Sequence, residues 1–542
     1  MHSKIKSISI CLIMICHFMG IGQDRTVGIF NIDSGVHEGY TLFSPAANTK
    51  VYLINDCGEV VNSWESEFRP GNAVYLTPDG YLYRAGRLNN LQIHAGGAGG
   101  IIEKFNWQGE VVWSFEYNSP TYRAHHDFQV LPNGNVLILA WELKSGEESI
   151  NNGRNPNLLS EGELWPEKII EVEPTGVNTG EVVWEWNAWD HMIQSYDPTK
   201  INYGIPSEHA EKIDINYIRP GVDGADWQHA NSIDYNEDLD QIMLSVLFFD
   251  EIWVIDHNTT TEESKGSKGD LLFRWGNPQA YGKGSEEDQM LYGQHNAHWI
   301  EAGLPDEGKI LIFNNGVNRP DGVYSSVVKL DLGLHHVYPK DETNKFLPKD
   351  YYWEFMSETP TDFYSRFISG AHQLANGNVF ITDGAHGTFF EIDPDKNEVW
   401  RYVNPITIFG VAEQGNIVTN PIGEGTNVVF RATKYSPNYT GFTGKDMSAG
   451  LPIEINPDIL FCLKRDLLEE EDVTISIFPN PASNHITVTN YIGTYEIYNM
   501  SGQLVTSDLL TEENAQIQLV GLSTGVYLLR LNNKEAKKIV IK

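Results

Sequence analysis

The chain has 542 residues, more than one ordinary core accommodates and enough for two or three compact units. Lys and Arg number 38 against 73 Asp and Glu, a formal net charge of −35, which argues against duplex DNA, RNA or an anionic lipid surface as partner, because each needs clustered cationic side chains. The 14 Trp, 25 Tyr, 23 Phe and 49 Gly point to a β-rich, turn-rich architecture, and four cysteines are too few for a disulfide scaffold or a Cys-built zinc protein.

Residues 1–22 read as a secretory signal peptide. Lys4 and Lys6 precede an apolar run from Ile8 to Ile21, and the small residues Gly20 and Gly22 stand before polar Gln23, Asp24 and Arg25. No later stretch supplies the roughly 20 apolar residues of a spanning helix. Bulky Ile15 argues against lipid attachment at Cys16. Cleavage leaves Cys57 and Cys462. In an oxidising compartment these either pair, tying the start of the main domain to its end, or stand as two unrelated buried thiols.

Residues 23–465 repeat two phrases. The first is an apolar strand, a Pro-Asp/Asn-Gly or Ala-Asn-Gly turn and a second strand, at Val74–Tyr83, Leu131–Val136 and Leu374–Val379; Asn-Gly and Asp-Gly accept the positive φ of tight hairpins. The second is a strand ending near an acidic residue, a turn, and Glu-Val-Val-Trp or a relative. It occurs with Glu59-Val60-Val61, Glu110-Val111-Val112-Trp113, Glu181-Val182-Val183-Trp184 and Glu398-Val399-Trp400, and more loosely with Leu271–Trp275 and Tyr352–Phe355. These make about six units of four short strands, which predicts an all-β, six-bladed β-propeller with long loops at 141–168 and 187–228. A pair of β-sandwiches is the rival, but it leaves the double repeat unexplained.

An acidic linker is expected at 466–473, around Glu469-Glu470-Glu471-Asp472, and a small β-sandwich at 474–542. The tail opens on Phe478-Pro479-Asn480-Pro481 and continues with Tyr498-Asn499-Met500-Ser501-Gly502-Gln503, Gly525-Val526-Tyr527 and Lys537-Lys538. It resembles the C-terminal sorting domain of type IX secretion cargo. That resemblance implies handling by the type IX machinery, export through the periplasm and across the outer membrane, and a secreted or cell-surface protein with no transmembrane segment after signal cleavage.

Histidines are placed with a pattern. His126, His229, His295 and His372 each precede the first strand of a hairpin phrase, where a propeller's innermost strand opens onto the axial channel, so they are expected to converge. For any one of them the bland reading is a structural hydrogen bond at a blade edge. His125, His298, His335, His336 and His386 read as loop or surface residues. No helical His-x-x-x-His, Gly-x-Ser-x-Gly elbow, P-loop or dinucleotide fingerprint appears, and Asp393–Glu398 lacks the glycine of a calcium loop. Neither a cofactor nor a metal is expected.

Trp227-Gln228-His229-Ala230-Asn231-Ser232-Ile233, Gly293-Gln294-His295-Asn296-Ala297, Phe313–Pro320 with Tyr324-Ser325, Gly370-Ala371-His372-Gln373-Leu374, and Val429-Phe430-Arg431-Ala432 with Tyr435-Ser436-Pro437 together resemble the bacterial aryl-sulfate sulfotransferases over roughly 28–445. The resemblance implies sulfuryl transfer from a phenolic sulfate ester to a phenol through a sulfohistidine, without the nucleotide sulfate donor. By position, His372 is the implied nucleophile, His229, His295 and Arg319 bind the sulfuryl oxygens, and His126, Asn231 and Asn296 contact substrate. A sulfuryl group in flight spreads charge over three oxygens, which suits an Arg fork and imidazole donors. Two other readings stay open: a non-catalytic surface propeller binding carbohydrate or protein, and a hydrolase that loses the group to water.

Overall fold

The computed structural model describes residues 25–333, 338–420, 423, 425–457, 462, 475–489, 491, 493–500, 502–512, 514–531 and 537–542. The expected signal peptide, the 466–473 linker, Cys11, Cys16, His335 and His336 lie outside the described residues. The chain divides into two compact units, Met1–Asp458 and Ile459–Lys542.

Alternating and continuous apolar runs in the first unit form antiparallel sheets that are the blades of a β-propeller. In chain order blade two is Arg69–Leu76, Leu82–Arg87, Gly100–Phe105 and Val111–Glu116, and blade three is Tyr122–Val130, Val136–Glu142, Glu167–Gly176 and Thr179–Asn187. Blade four is Ala230–Asn236, Gln241–Val246, Glu251–Asp256 and Phe273–Trp275, and blade five is His295–Trp299, Ile310–Asn314, Ser326–Leu330 and Trp353–Phe355. Blade six is Gly370–Gln373, Val379–Asp383, Thr388–Ile392 and Glu398–Val403, with Gly28–Ile32 added on its outer edge. Blade one takes its inner strand, Val429–Tyr435, from the far end of the domain and pairs it with Tyr40–Pro45, Tyr40 opposite Tyr435. Lys50–Asn55 and Val60–Glu65 complete that blade. The inner strands neighbour one another in sequence order, and Val429–Tyr435 contacts both Arg69–Leu76 and Gly370–Gln373, so it closes the ring of blades.

The recurring Trp explains itself in this ring. Trp64 donates its indole N–H to the carbonyl of Asn106, Trp113 to that of Thr179, Trp275 to that of Pro348 and Trp400 to that of Asp56, at 2.9, 3.1, 2.7 and 2.9 Å. Trp184 donates to the hydroxyl of Thr259. In each case the acceptor lies in the next blade, so the fourth strand buries a large apolar ring and fastens its neighbour with one bond. In blade five Trp353 lies instead under the ammonium groups of Lys329 and Lys396.

The second unit is a sandwich of a three-stranded sheet, Ser476–Phe478, His485–Thr489 and Ala515–Gln518, and a four-stranded sheet, Gly493–Asn499, Leu504–Leu510, Gly525–Leu531 and Lys537–Ile541. Ile486, Val488, Ile497, Leu529 and Ile539 fill its core. Cys57 and Cys462 are both disulfide-bonded.

Trp400 is fully buried, and replacing it by Phe keeps the packing while stripping the Asp56 carbonyl of its donor. Trp400→Phe is expected to lower stability by about 1–3 kcal/mol, read as a lower urea midpoint with an unchanged slope. An unaltered midpoint would show that this tie contributes nothing.

Candidate active site

The hairpins set which inner-strand residues are level. The amides of Leu131, Ile300 and Leu374 close their turns on the carbonyls of Asn135, Lys309 and Asn378. Counted back from those amides, His126 and His295 each stand five residues before the turn, and the level residue of blade six is Ser369. His372 stands two residues before its turn, level with His298. The histidines therefore form two rows rather than the single ring expected from sequence.

The first row converges. The rings of His126 and His229 lie 4.6 Å apart at 72°, and His295 is close enough to both to disfavour their protonation or have its own disfavoured. His126 and His229 have φ of 49° and 53°, left-handed values, His126 within a bulge of its strand and His229 one residue before its strand begins. Such a backbone costs about 1–3 kcal/mol for a residue other than glycine and re-aims the side chain. His229 Nδ1 is 2.5 Å from Asp226 Oδ2. Burial by itself would lower its pKa, but the charge and hydrogen bond of Asp226, with Glu167 behind, leave it raised above 6.5. With Nδ1–H held by the carboxylate, Nε2 is left as a bare lone pair in the neutral ring. His229 keeps 14% side-chain exposure, and a Cβ on Gly96 would meet only its Cε1, at 3.7 Å, so there is room beside it. His126 is covered more tightly: a Cβ on Gly97, itself at φ 76°, would fall 1.9 Å from His126 Nε2.

His295 has both ring nitrogens engaged. Nδ1 faces Asn315 Oδ1 at 2.8 Å and Nε2 accepts the amide of Ile368 at 3.2 Å. Burial brings its pKa down to about 3, so it stays neutral. His125 is not the loop or surface residue its sequence context suggests; it is buried, stacked 3.8 Å from Trp141, with Nε2 2.9 Å from Glu167 Oε2 and Nδ1 2.8 Å from His126 Nδ1.

Arg431, from the Val429-Phe430-Arg431-Ala432 segment, is the central cation. It donates to Tyr75 Oη at 2.9 Å and Asp127 Oδ2 at 3.1 Å, and its Nε is buried without a hydrogen-bond partner. Its charge helps to hold His126, His295, His298 and His372 neutral. On its far side a cavity of about 840 Å³ is lined by Tyr75, Trp299, Tyr435, Tyr439, His298 and His372 among others. His298 is thus a cavity residue, not a surface one. His372 packs on Phe380, accepts the Lys434 amide at Nε2, 3.0 Å away, and is brought by burial to a pKa of about 3.

The remaining candidates sit apart. Arg319 bonds Asp321 through Nε, lies 3.7 Å over the Tyr324 ring and has a buried Nη1 without a partner; none of its described contacts is to a histidine. Asn231 donates to the Gln294 carbonyl and Asn296 accepts the Ala371 amide, so both fasten one blade to the next. His386 pairs with Asp383, and Asp393 is occupied by its own turn through Asn397. Among the described residues no group of three or more His, Cys, Asp or Glu side chains is placed to hold a metal ion.

No curated relative matches the chain. Solved structures similar to it include a protein of unknown function from Bacteroides caccae (12% identity, 74% of this chain and 99% of that one, TM-score 0.38). Others are a catalytically inactive virginiamycin B lyase from Staphylococcus aureus with quinupristin (10%, 70% and 89%, TM-score 0.31) and a β-propeller domain from Myceliophteria thermophila (9%, 70% and 87%, TM-score 0.33). Residues 476–542 match the secretion system C-terminal sorting domain, which marks the chain for type IX export to the medium or the cell surface, and no described helix is long and apolar enough to cross a membrane. Residues 75–407 match the model of arylsulfotransferases, which supports an aryl sulfotransferase activity in general; covering more than half of the sequence, that match places the chain in the arylsulfotransferase family.

Proposed function

We propose that the protein moves a sulfuryl group from a phenolic sulfate ester to a second phenol through a sulfohistidine, with no nucleotide sulfate donor. The observation that carries this reading is the convergence of His126, His229 and His295 near the largely shielded Arg431 at the propeller axis. Arg431 offers fixed positive charge to the sulfuryl oxygens in surroundings of low dielectric. His372 is the nucleophile the family resemblance implies, but its Nε2 is spent on the Lys434 amide. His229 suits attack better: Asp226 holds its Nδ1–H, Nε2 is free, and the ring is partly exposed. Attack forms an N–S bond as the S–O bond to the first phenol breaks, and the second phenol reverses the sequence. Arg319, Asn231 and Asn296 then act by position, stiffening the blade-five loop and the blade contacts.

The test is transfer from 4-nitrophenyl sulfate to phenol, with the sulfur-labelled enzyme trapped at alkaline pH and its peptides mapped. Label on His229, and loss of about 10³-fold or more in His229→Asn, is the expected result. Label on His372 would move the attack to the cavity side of Arg431. Nitrophenol release that needs no acceptor would make the protein a hydrolase, and no release with several phenols would favour the binding propeller.

The pH dependence has a definite sign. Attack requires neutral His229, whose pKa is raised by Asp226, so kcat/KM should rise as pH passes upward through a value above 6.5. Asp226→Asn removes the carboxylate that favours the imidazolium, and the rising limb should move to lower pH while the plateau falls. A limb that stays in place would detach the titration from His229.

A further inference from the structure

The mechanism above leaves unused a buried chain of two imidazoles ending in a carboxylate. Glu167 Oε2 is 2.9 Å from His125 Nε2, and His125 Nδ1 is 2.8 Å from His126 Nδ1. The side chains of His125 and Glu167 are fully shielded from water. The far oxygen of Glu167 accepts the Ala230 amide at 2.7 Å, and its own amide donates to Gln228 Oε1 at 2.7 Å, so the carboxyl is pinned between blades three and four. Stacking on Trp141 at 9° fixes the plane of His125. Each contact between these three residues has room for one proton, and only two arrangements keep both rings neutral.

We propose that Glu167 and His125 form a proton relay that loads and unloads His126 Nε2, the group that exchanges a proton with the phenolic oxygens during transfer. This rests on the sulfotransferase reading and on chemistry at the His229 side of Arg431. In the loaded state Glu167 carries the proton, His125 carries it on Nδ1 and His126 on Nε2. As the S–O bond of the donor breaks, His126 Nε2–H protonates the leaving phenolate, His125 passes its Nδ1 proton to His126 Nδ1, and Glu167 passes its proton to His125 Nε2. The phenol leaves neutral and Glu167 is left as carboxylate. The acceptor phenol gives its proton to His126 Nε2, the shifts reverse, and its oxygen takes the sulfuryl group from the histidine; no proton is gained or lost over the cycle. Neither imidazole becomes a cation at any point, in keeping with burial that holds His125 and His126 well below the usual histidine range and Glu167 well above the usual carboxylate range. Glu167 and His125 are positioning residues here, since neither touches substrate.

A relay matters only when the leaving phenolate needs a proton. The full chain is compared with Glu167→Gln on 4-nitrophenyl sulfate and on phenyl sulfate, with one phenol as acceptor at saturating concentration and the release of the first phenol followed in a single turnover. Gln retains a partner for the Ala230 amide but cannot give up a carboxyl proton. The relay predicts a loss of about 10²-fold or more on phenyl sulfate and less than about threefold on the nitrophenyl ester, with partial recovery on phenyl sulfate in Glu167→Asp. In the unaltered protein it predicts a solvent deuterium effect with a curved proton inventory on phenyl sulfate and little effect on the nitrophenyl ester, a measurement independent of whether the variants fold. Equal losses on both esters, or a linear inventory, would overturn the relay and leave the transfer reading standing. Failure of the unaltered protein to turn over either ester would overturn both.

Discussion

The carboxylate of Asp127 is the point on which the centre of the propeller depends. It is buried and accepts from the Phe128 amide of its own blade, the Tyr75 hydroxyl of blade two, the Ile233 amide of blade four and the Arg431 guanidinium of blade one, at 3.0, 2.6, 3.3 and 3.1 Å. Four blades thus meet on one side chain. A buried guanidinium is tolerable only beside a fixed counter-charge, so Asp127 both admits Arg431 to the axis and aims it. Asp127 also follows His126 in the chain, and the bulge that turns His126 toward His229 is the same one that turns Asp127 toward its four partners. Cation and imidazoles are placed by a single local distortion.

The repeat of strands and tryptophans was legible because it is short-range chemistry: turns need Gly at positive φ, as Gly134 has at 88°, and each fourth strand needs a large ring to cover the next blade. The register of the histidines was harder. His372 lies in a local phrase like those around His229 and His295, yet its distance from the hairpin differs by three residues, which lowers it one level toward the cavity. A spacing counted from the turn, Leu374 back to Ser369, carried that signal. Asp226 is within three residues of His229 and was readable in principle. Glu167 was not, because it reaches His125 from 42 residues away on the third strand of the same blade, and a loop of long and irregular sequence separates them.

Charge presents a contrast between surface and site. A net charge of −35 spread over the chain repels an anionic ester at distances up to a Debye length, about 8 Å in physiological salt. Arg431 offers little long-range attraction to offset this, because Asp127 neutralises it. On the proposed function, capture of the ester would therefore depend on contacts made after entry, from apolar walls and directed donors, rather than on steering.

The neutral state of the histidines follows from the same arrangement. Protonating His126, His295, His298 or His372 would add a second positive charge near Arg431 where burial already disfavours the charged ring, and each ring is held neutral accordingly. Only His229, with Asp226 in contact, escapes that constraint. A ring that is neutral can still donate through one nitrogen and accept through the other, so a row of such rings passes protons without building charge, whereas a row of imidazoliums would bind an anion so tightly in its ground state that the bound ester and the transition state would gain alike. Uniform tightening of that kind does not speed the chemical step. One fixed cation surrounded by neutral imidazoles confines the strong attraction to a single point and leaves the rings free to follow the proton, which is the property a reversible transfer between two phenols of similar basicity requires.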